Sequence, residues 1–262
     1  MIFETHAHYD DERFDNDRDE LLREMRHHGI CPIINVGASM KSARESVRLA
    51  RDYEDVFAAV GVHPSDIADL TEEDMDELLS MTSDPKVVSV GEIGLDYYWD
   101  KEPDVQENQR RWFRRQLRVA HDVDLPVIIH SREAAADTME IMKEAAAQGI
   151  RGVIHCYSYS PEQAMEYVRL GYYIGIGGVV TFKNSKKLKE TAQEIPLGRI
   201  LLETDSPYLA PDPFRGERND STYLPYVVRQ IATLRGITED EVVCETAKNA
   251  FTLFSKVKKP TQ

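Results

Sequence analysis

The sequence predicts an α/β protein: a single (β/α)8 TIM barrel with an extra C-terminal helix. Three observations carry that expectation. Short Val- and Ile-rich runs alternate eight times with helix-like stretches. Six metal-binding side chains, His6, His8, Glu92, His130, His155 and Asp205, each stand near the end of such a run. The length of 262 residues is close to the ~250 of such barrels. Ligands scattered along a chain, all at strand ends, converge when the strands are parallel, and in a barrel they meet at the C-terminal mouth.

Strands are expected at 2–8, 32–37, 56–63, 87–93, 126–130, 152–155, 172–178 and 199–204. Pro, Gly or Asp bounds several of them, and the middle ones are apolar on both faces, as parallel strands covered by helices should be. Helices are expected between them at 15–27, 41–53, 73–81, 105–121, 132–148, 161–169, 185–194 and 223–235, with a final one at 239–254. Thr71 with Asp74, and Thr238 with Glu241, read as capping boxes, and Ser160-Pro161 reads as a cap before a first-turn proline. Gly29, Gly149, Gly171 and Gly236 fall where left-handed helix ends are wanted. Residues 256–259 read as a solvated tail.

No low-complexity linker divides the chain, so residues 1–262 are expected to be one domain. Apolar residues make up 42% of the chain, enough for one sizeable core. Lys and Arg number 32 against 46 Asp and Glu, a net charge of −14. That argues against holding nucleic acid along a broad surface, which usually takes a basic face. It leaves room for a small anionic group docked on divalent cations. Cys31, Cys156 and Cys244 are sparse, odd in number and far apart, as free thiols in a reducing compartment are. No apolar run approaches a membrane span and no signal peptide is evident. A cytoplasmic protein with no obligate protein partner is expected.

His6 and His8, two residues apart on a strand, share a face. Glu92 ends a buried run, where an acid is costly unless paired or bound to metal. His130 and His155 end neighbouring strands, and each would need a partner fixing its tautomer. Glu203 and Asp205 also share a face, and two carboxylates together call for a cation. Asp205 is the ligand candidate, and Glu203, one layer deeper, braces a ligand or water. His63 is expected to contact substrate or brace a ligand. Asp96 is a candidate to brace a ligand or start a helix, with a purely structural role favoured. For anion binding the candidates are Arg132, Lys183, Arg215 and Arg218, each open to a second reading as solvent-exposed charge. Tyr97, Tyr98 and Trp99 could stack on a base or pack the barrel top.

These residues stand in the segments Thr-His-Ala-His (5–8), Gly-Val-His-Pro (61–64), Gly-Glu-Ile-Gly-Leu-Asp-Tyr-Tyr (91–98), Ile-His-Ser-Arg-Glu-Ala (129–134), His-Cys-Tyr-Ser (155–158), Thr-Phe-Lys-Asn (181–184) and Leu-Glu-Thr-Asp-Ser-Pro (202–207). In that order they resemble the TatD family of metal-dependent deoxyribonucleases, within the amidohydrolase-like barrels. The resemblance implies two divalent cations, Mg2+, Mn2+ or Zn2+. His6, His8, Glu92 and Asp205 would hold one, with Glu92 bridging to a second held by His130 and His155. It also implies that His63 and Glu203 belong to the active site. Glu4, where the family usually has Asp, Tyr159, where Gly is usual, and Asp220-Ser221, where Glu-Pro is common, depart from the pattern.

The expected function is therefore hydrolysis of DNA or another phosphodiester. Water activated by the cations attacks phosphorus and Asp205 accepts its proton. The alternative keeps the metals and changes the bond: a barrel amidohydrolase or deacylase acting on an ester or amide, including one linked to nucleic acid. A barrel that keeps metal only for structure is the third reading.

Overall fold

β1 (Ile2–Ala7), β2 (Ile30–Val36), β3 (Val56–Val60), β4 (Val87–Asp96), β5 (Val127–Arg132), β6 (Gly152–Ile154), β7 (Tyr173–Ile176) and β8 (Ile200–Leu202) pair in chain order, every pair parallel. The computed structural model describes residues 1–258. Beyond β8 the ring closes onto β1. Asp205 N–H donates to His6 O at 2.9 Å and His8 N–H to Ser206 O at 2.7 Å, around a parallel bridge between Ala7 and Ser206.

The helices are α1 (Arg18–Glu24), α2 (Met40–Asp52), α3 (Glu72–Met81), α4 (Pro103–Asp122), α5 (Ala135–Ala147), α6 (Pro161–Arg169), α7 (Lys186–Glu194), α8 (Leu224–Arg235) and α9 (Glu239–Leu253). Their starts follow local chemistry. Thr71 and Asp74 exchange side-chain and backbone bonds of 3.3 and 2.9 Å, and Thr238 and Glu241 do so at 3.2 and 2.8 Å. Ser160 accepts from Gln163 N–H at 3.4 Å, with Pro161 in the first turn. Such caps contribute roughly 1 kcal/mol each. Gly236 ends α8 at φ 64°, a conformation glycine adopts without strain.

Period-2 alternation sorts the strand side chains into two clusters. One lies between sheet and helices. The other takes Phe3, Ile34, Val36, Ala59, Val88, Ile128, Val153, Tyr173 and Leu201, so all eight strands contribute, and it includes Ala250, Leu253, Phe254 and Val257. The interior of the ring is thus filled by apolar side chains and stoppered by α9, which explains the extra helix. Phe254 is fully buried there, packed 6.1 Å from Phe3, and truncating it to Ala would cost about 3–5 kcal/mol. Two residues further along the chain, at or just past the strand ends, stand His130 after Ile128, His155 after Val153 and Glu203 after Leu201. The apolar plug and the polar mouth are successive layers of one interior.

Some boundaries differ from the sequence expectation. β5 continues through Arg132, paired with Asp96 of the lengthened β4, so α5 starts at Ala135. β3 stops at Val60, which leaves His63 at the start of a 3-10 turn, Pro64–Asp66. α1 begins at Arg18, after a separate 3-10 turn at Glu12–Phe14. The expected solvated tail is partly docked. Val257 joins the interior cluster, and Lys256 Nζ reaches the carbonyls of Thr82 and Val87 at 3.4 and 3.3 Å; Lys259 lies outside the described residues.

Candidate metal centre

The strand ends open into a cavity of about 690 Å³, lined among others by His8, His63, Glu92, Asp96, His130, Arg132, His155, Cys156 and Asp205. His6 lies just below, 1% exposed, stacked on His155 with centroids 3.5 Å apart.

Two nests of donor atoms meet at Glu92. His6 Nε2 and His8 Nε2 are 3.0 Å apart. Asp205 Oδ1 lies 3.7 and 3.4 Å from them, and Glu92 Oε2 lies 3.6 and 3.8 Å away. A cation holding N and O ligands at roughly 2.0–2.2 Å in a tetrahedron sets them about 3.4 Å apart, so these spacings fit one. On the other side, Glu92 Oε1 is 2.9 Å from His130 Nδ1 and 3.8 Å from His155 Nε2. His63 Nε2 is 3.9 Å from the same Oε1, and His155 Nε2 is also 3.7 Å from Asp205 Oδ1, so His155 stands between the two nests.

The tautomers follow from what holds the far ring atoms. His8 Nδ1 sits 2.8 Å from the Val36 carbonyl, which can only accept, so Nδ1 carries hydrogen and Nε2 offers a lone pair. His130 is braced at Nε2 by Asp96 Oδ2, 3.0 Å away, which leaves Nδ1 toward Glu92. Glu203 Oε1 lies 3.0 Å from His155 Nδ1 without hydrogen-bond alignment and accepts from Cys156 N–H at 2.6 Å. His6 Nδ1 is buried with no hydrogen-bond partner. Two imidazole nitrogens face to face, a buried orphan on one ring and two acids beside them make a donor set suited to a divalent cation.

The charges agree. Burial pushes the Glu92 carboxyl up, but His63, His130 and His6 outweigh it and hold Glu92 well below the usual range. Asp205 is also depressed, burial being offset by His8 and the neighbouring imidazoles. Burial opposes a proton on His8 and His155, yet Asp205 lifts the first to about 9 and Glu203 the second to about 10. The centre thus stabilises positive charge on its imidazoles, whether brought by a proton or a cation.

Local backbone conformation aims these groups. Asp205 sits at φ 59° and Cys156 at φ 44°, strained positions of the kind that cluster at functional sites. At Gly175 any Cβ would collide with the Glu203 carboxylate, so glycine makes the room for that acid.

Other expected residues are placed as follows. His63 Nδ1 accepts from Ser65 N–H at 3.1 Å, so its hydrogen is on Nε2, 3.9 Å from Glu92 Oε1. Burial lowers its pKa to about 4. It faces the centre as a neutral donor. Arg132 lines the cavity, whereas Lys183, Arg215 and Arg218 do not. Lys183 is exposed, Arg215 lies 4.5 Å over the Phe182 ring, and Arg218 grips Asp17 with two bonds of 2.7 and 2.6 Å. Tyr97 is tied by its hydroxyl to Asp137 and Arg110.

Asp96, expected to be structural, does more. Its Oδ1 accepts from Tyr98 N–H at 3.0 Å while its Oδ2 braces His130. Of the two roles open to it in sequence, bracing a ligand is the one the structure shows, because β4 runs on to Asp96 and carries it to the His130 ring. Asp10, which also lines the cavity, carried no comparable signal.

A family model described as TatD related DNase matches residues 3–255. The chain belongs to the TatD-related DNase family. It is 42% identical over 254 residues to the uncharacterized metal-dependent hydrolase YabD of Bacillus subtilis, across 97% of this chain and 99% of that protein. It is 31% identical over 265 residues to the 3'-5' ssDNA/RNA exonuclease TatD of Cronobacter sakazakii, across 99% and 100% of the two. The crystal structure of YjjV, a TatD homologue from Escherichia coli K12, matches with a TM-score of 0.89 at 31% identity, over 97% of this chain and 98% of that one. As a member of the TatD-related family the chain is a metal-dependent hydrolase. Among the described residues, no helix is long and apolar enough to cross a membrane.

Proposed function

We propose that this TatD-related hydrolase cleaves phosphodiester bonds of DNA with two divalent cations bridged by Glu92. The observation that carries the proposal is Glu92 itself, with Oε2 turned to His6 and His8 and Oε1 to His130 and His155. Two cations bound so would supply Lewis acidity to a phosphoryl oxygen and ease deprotonation of water. His6, His8, Asp205 and Glu92 would hold one, and His130, His155 and Glu92 the other; Mg2+, Mn2+ and Zn2+ all suit such donors.

The remaining work falls to the chain. Asp205, kept ionised by its imidazole neighbours, accepts the proton of the attacking water at a carboxylate oxygen. The water oxygen bonds to phosphorus as the ester P–O bond breaks; the leaving oxygen takes a proton from solvent and Asp205 gives up to solvent the one it accepted. His63 Nε2–H donates to a non-bridging oxygen. Glu203 holds His155 and the Cys156 amide in place. Arg132 binds a neighbouring phosphate.

The test is Glu92→Ala against wild type on a single-stranded oligonucleotide with Mg2+ or Mn2+, with an ester and amide panel in parallel. A rate loss of about 100-fold or more is expected on the oligonucleotide. Near-wild-type turnover in the variant would sink the assignment, and turnover of an ester or amide alone would move the chemistry to a deacylase.

A further inference from the structure

The cavity mouth carries aromatic side chains that the reaction does not use. Large apolar side chains are exposed at few positions, and Tyr98, Trp99, Tyr208 and Leu209 are among them; Trp99, Tyr208 and Leu209 line the cavity. Trp99 is 67% exposed. Trp99 packs edge-on against Tyr98, with centroids 4.6 Å apart, which leaves most of the indole open to the mouth; grouped exposed apolar side chains at a cavity rim mark a ligand-binding surface.

Their arrangement is specific. Trp99 and Tyr98 follow β4, and Tyr208 follows β8; in a ring of eight strands paired in chain order these lie on opposite sides. An arginine caps each station. The Arg132 guanidinium is 3.9 Å from the Tyr98 ring centroid and 5.7 Å from that of Trp99, and Arg13 is 4.2 Å from that of Tyr208. Tyr208 is fixed by its hydroxyl, which donates to Asp11 at 3.0 Å. Arg13 is committed to Asp11 as well, but the Arg132 guanidinium has no hydrogen bond or ion pair among the described residues. It therefore keeps its donors for a phosphate.

We infer that these two stations clamp unpaired nucleobases on either side of the scissile phosphate, with Trp99 as the principal stacking surface. The inference rests on the phosphodiester reading above and adds the residues that would hold the strand at the mouth: Trp99 and Tyr208, with Arg132 beside the first. Bases within a duplex have both faces covered by their neighbours, so stacking on Trp99 selects against them. Face stacking tolerates any base, and Arg132 adds a phosphate grip beside it. A chain with a net charge of −14 cannot draw its substrate by overall attraction, so capture has to be local.

The test uses the Mn2+-loaded protein with two readouts. The chain has two tryptophans, and Trp112 is 3% exposed, so quenching of the intrinsic fluorescence by added oligonucleotide reports on Trp99. Single strands should quench it, an equal blunt duplex far less, and Trp99→Phe should remove the signal. In kinetics, Trp99→Ala should raise KM for a single strand on the order of tenfold with little change in kcat, and Trp99→Phe should restore it. A strand abasic around the cleaved position should show no such loss. Unchanged KM in Trp99→Ala, or an equal loss on the abasic strand, overturns the clamp. Cleavage without quenching leaves the phosphodiester reading standing and the clamp fallen. Quenching without cleavage sinks the phosphodiester reading, and the clamp's placement about a scissile phosphate falls with it.

Discussion

Asp96 Oδ2 and Glu92 Oε1 take the His130 imidazole between them, at 3.0 Å from Nε2 and 2.9 Å from Nδ1. The outer acid fixes which ring nitrogen can face a cation. Asp96→Ala frees the ring, and Asp96→Asn keeps an acceptor without the charge. Mn2+ affinity should fall about 10–100-fold in Asp96→Ala and less in Asp96→Asn. Titration calorimetry measures it, and wild-type affinity in both variants would remove Asp96 from the centre.

Glu4 joins the two ends of the sheet. Its carboxylate accepts from His6 N–H at 3.1 Å, Thr204 N–H at 3.0 Å, Thr204 Oγ1 at 2.7 Å and Ser221 Oγ at 2.9 Å. Burial nevertheless lifts its pKa to about 7. Glu4→Ala leaves buried donors unpaired and should cost about 2–4 kcal/mol, several degrees of Tm. Glu4→Gln should cost much less at pH 7, since the native group is already close to half neutral there. A Tm equal to that of Glu4→Ala in the Gln variant would show that charge, not acceptance, matters.

Acidity should act oppositely on the protein with and without metal. His8 and His155 titrate near 9 and 10 in the fold against 6.5 in the unfolded chain. The stability they contribute as imidazolium is complete below 6.5 and is lost as pH rises toward 9 and 10. Glu92 and Asp205 are depressed instead, so their contribution is present above the ordinary carboxylate range and lost as pH falls. In EDTA, Tm should therefore decline from pH 6.5 to 9. A cation competes with those same protons, so its stabilisation should grow across the interval; at 100 times Kd it is worth about 2.7 kcal/mol. Parallel melts with EDTA and Mn2+ should diverge as pH rises, and curves of constant separation would contradict this.

Arg218 was an anion-binding candidate by sequence, yet it pairs bidentately with Asp17 and lies 4.7 Å over the Phe14 ring. Arg218→Ala should lower stability by about 1 kcal/mol and leave KM for an oligonucleotide within twofold. A large rise in KM at unchanged Tm would return it to the substrate path.

Much of the ring is legible in the sequence. Strand runs ending in His or acid gave the ring, its order and the facing of His6, His8, Glu203 and Asp205, because alternation and parallel pairing are local rules. Boundaries were less legible. β8 is only Ile200–Leu202, and His63 lies past the end of β3, because backbone pairing, not composition, decides where a strand stops. The arginines were least legible. Arg132, Arg215 and Arg218 look alike in sequence, and their different neighbours, Tyr98, Phe182 and Asp17, come from distant parts of the chain.

The closure of β1 against the segment after β8 bears on the order of assembly. His6 lies on the first strand, with His8 just beyond it, and Asp205 follows the eighth, so seven further strands are made between them. A nascent chain can meet divalent cations throughout that interval, yet its donors come together only when the last strand docks beside the first. A chain stalled short of its eighth strand thus carries the histidines without Asp205 beside them.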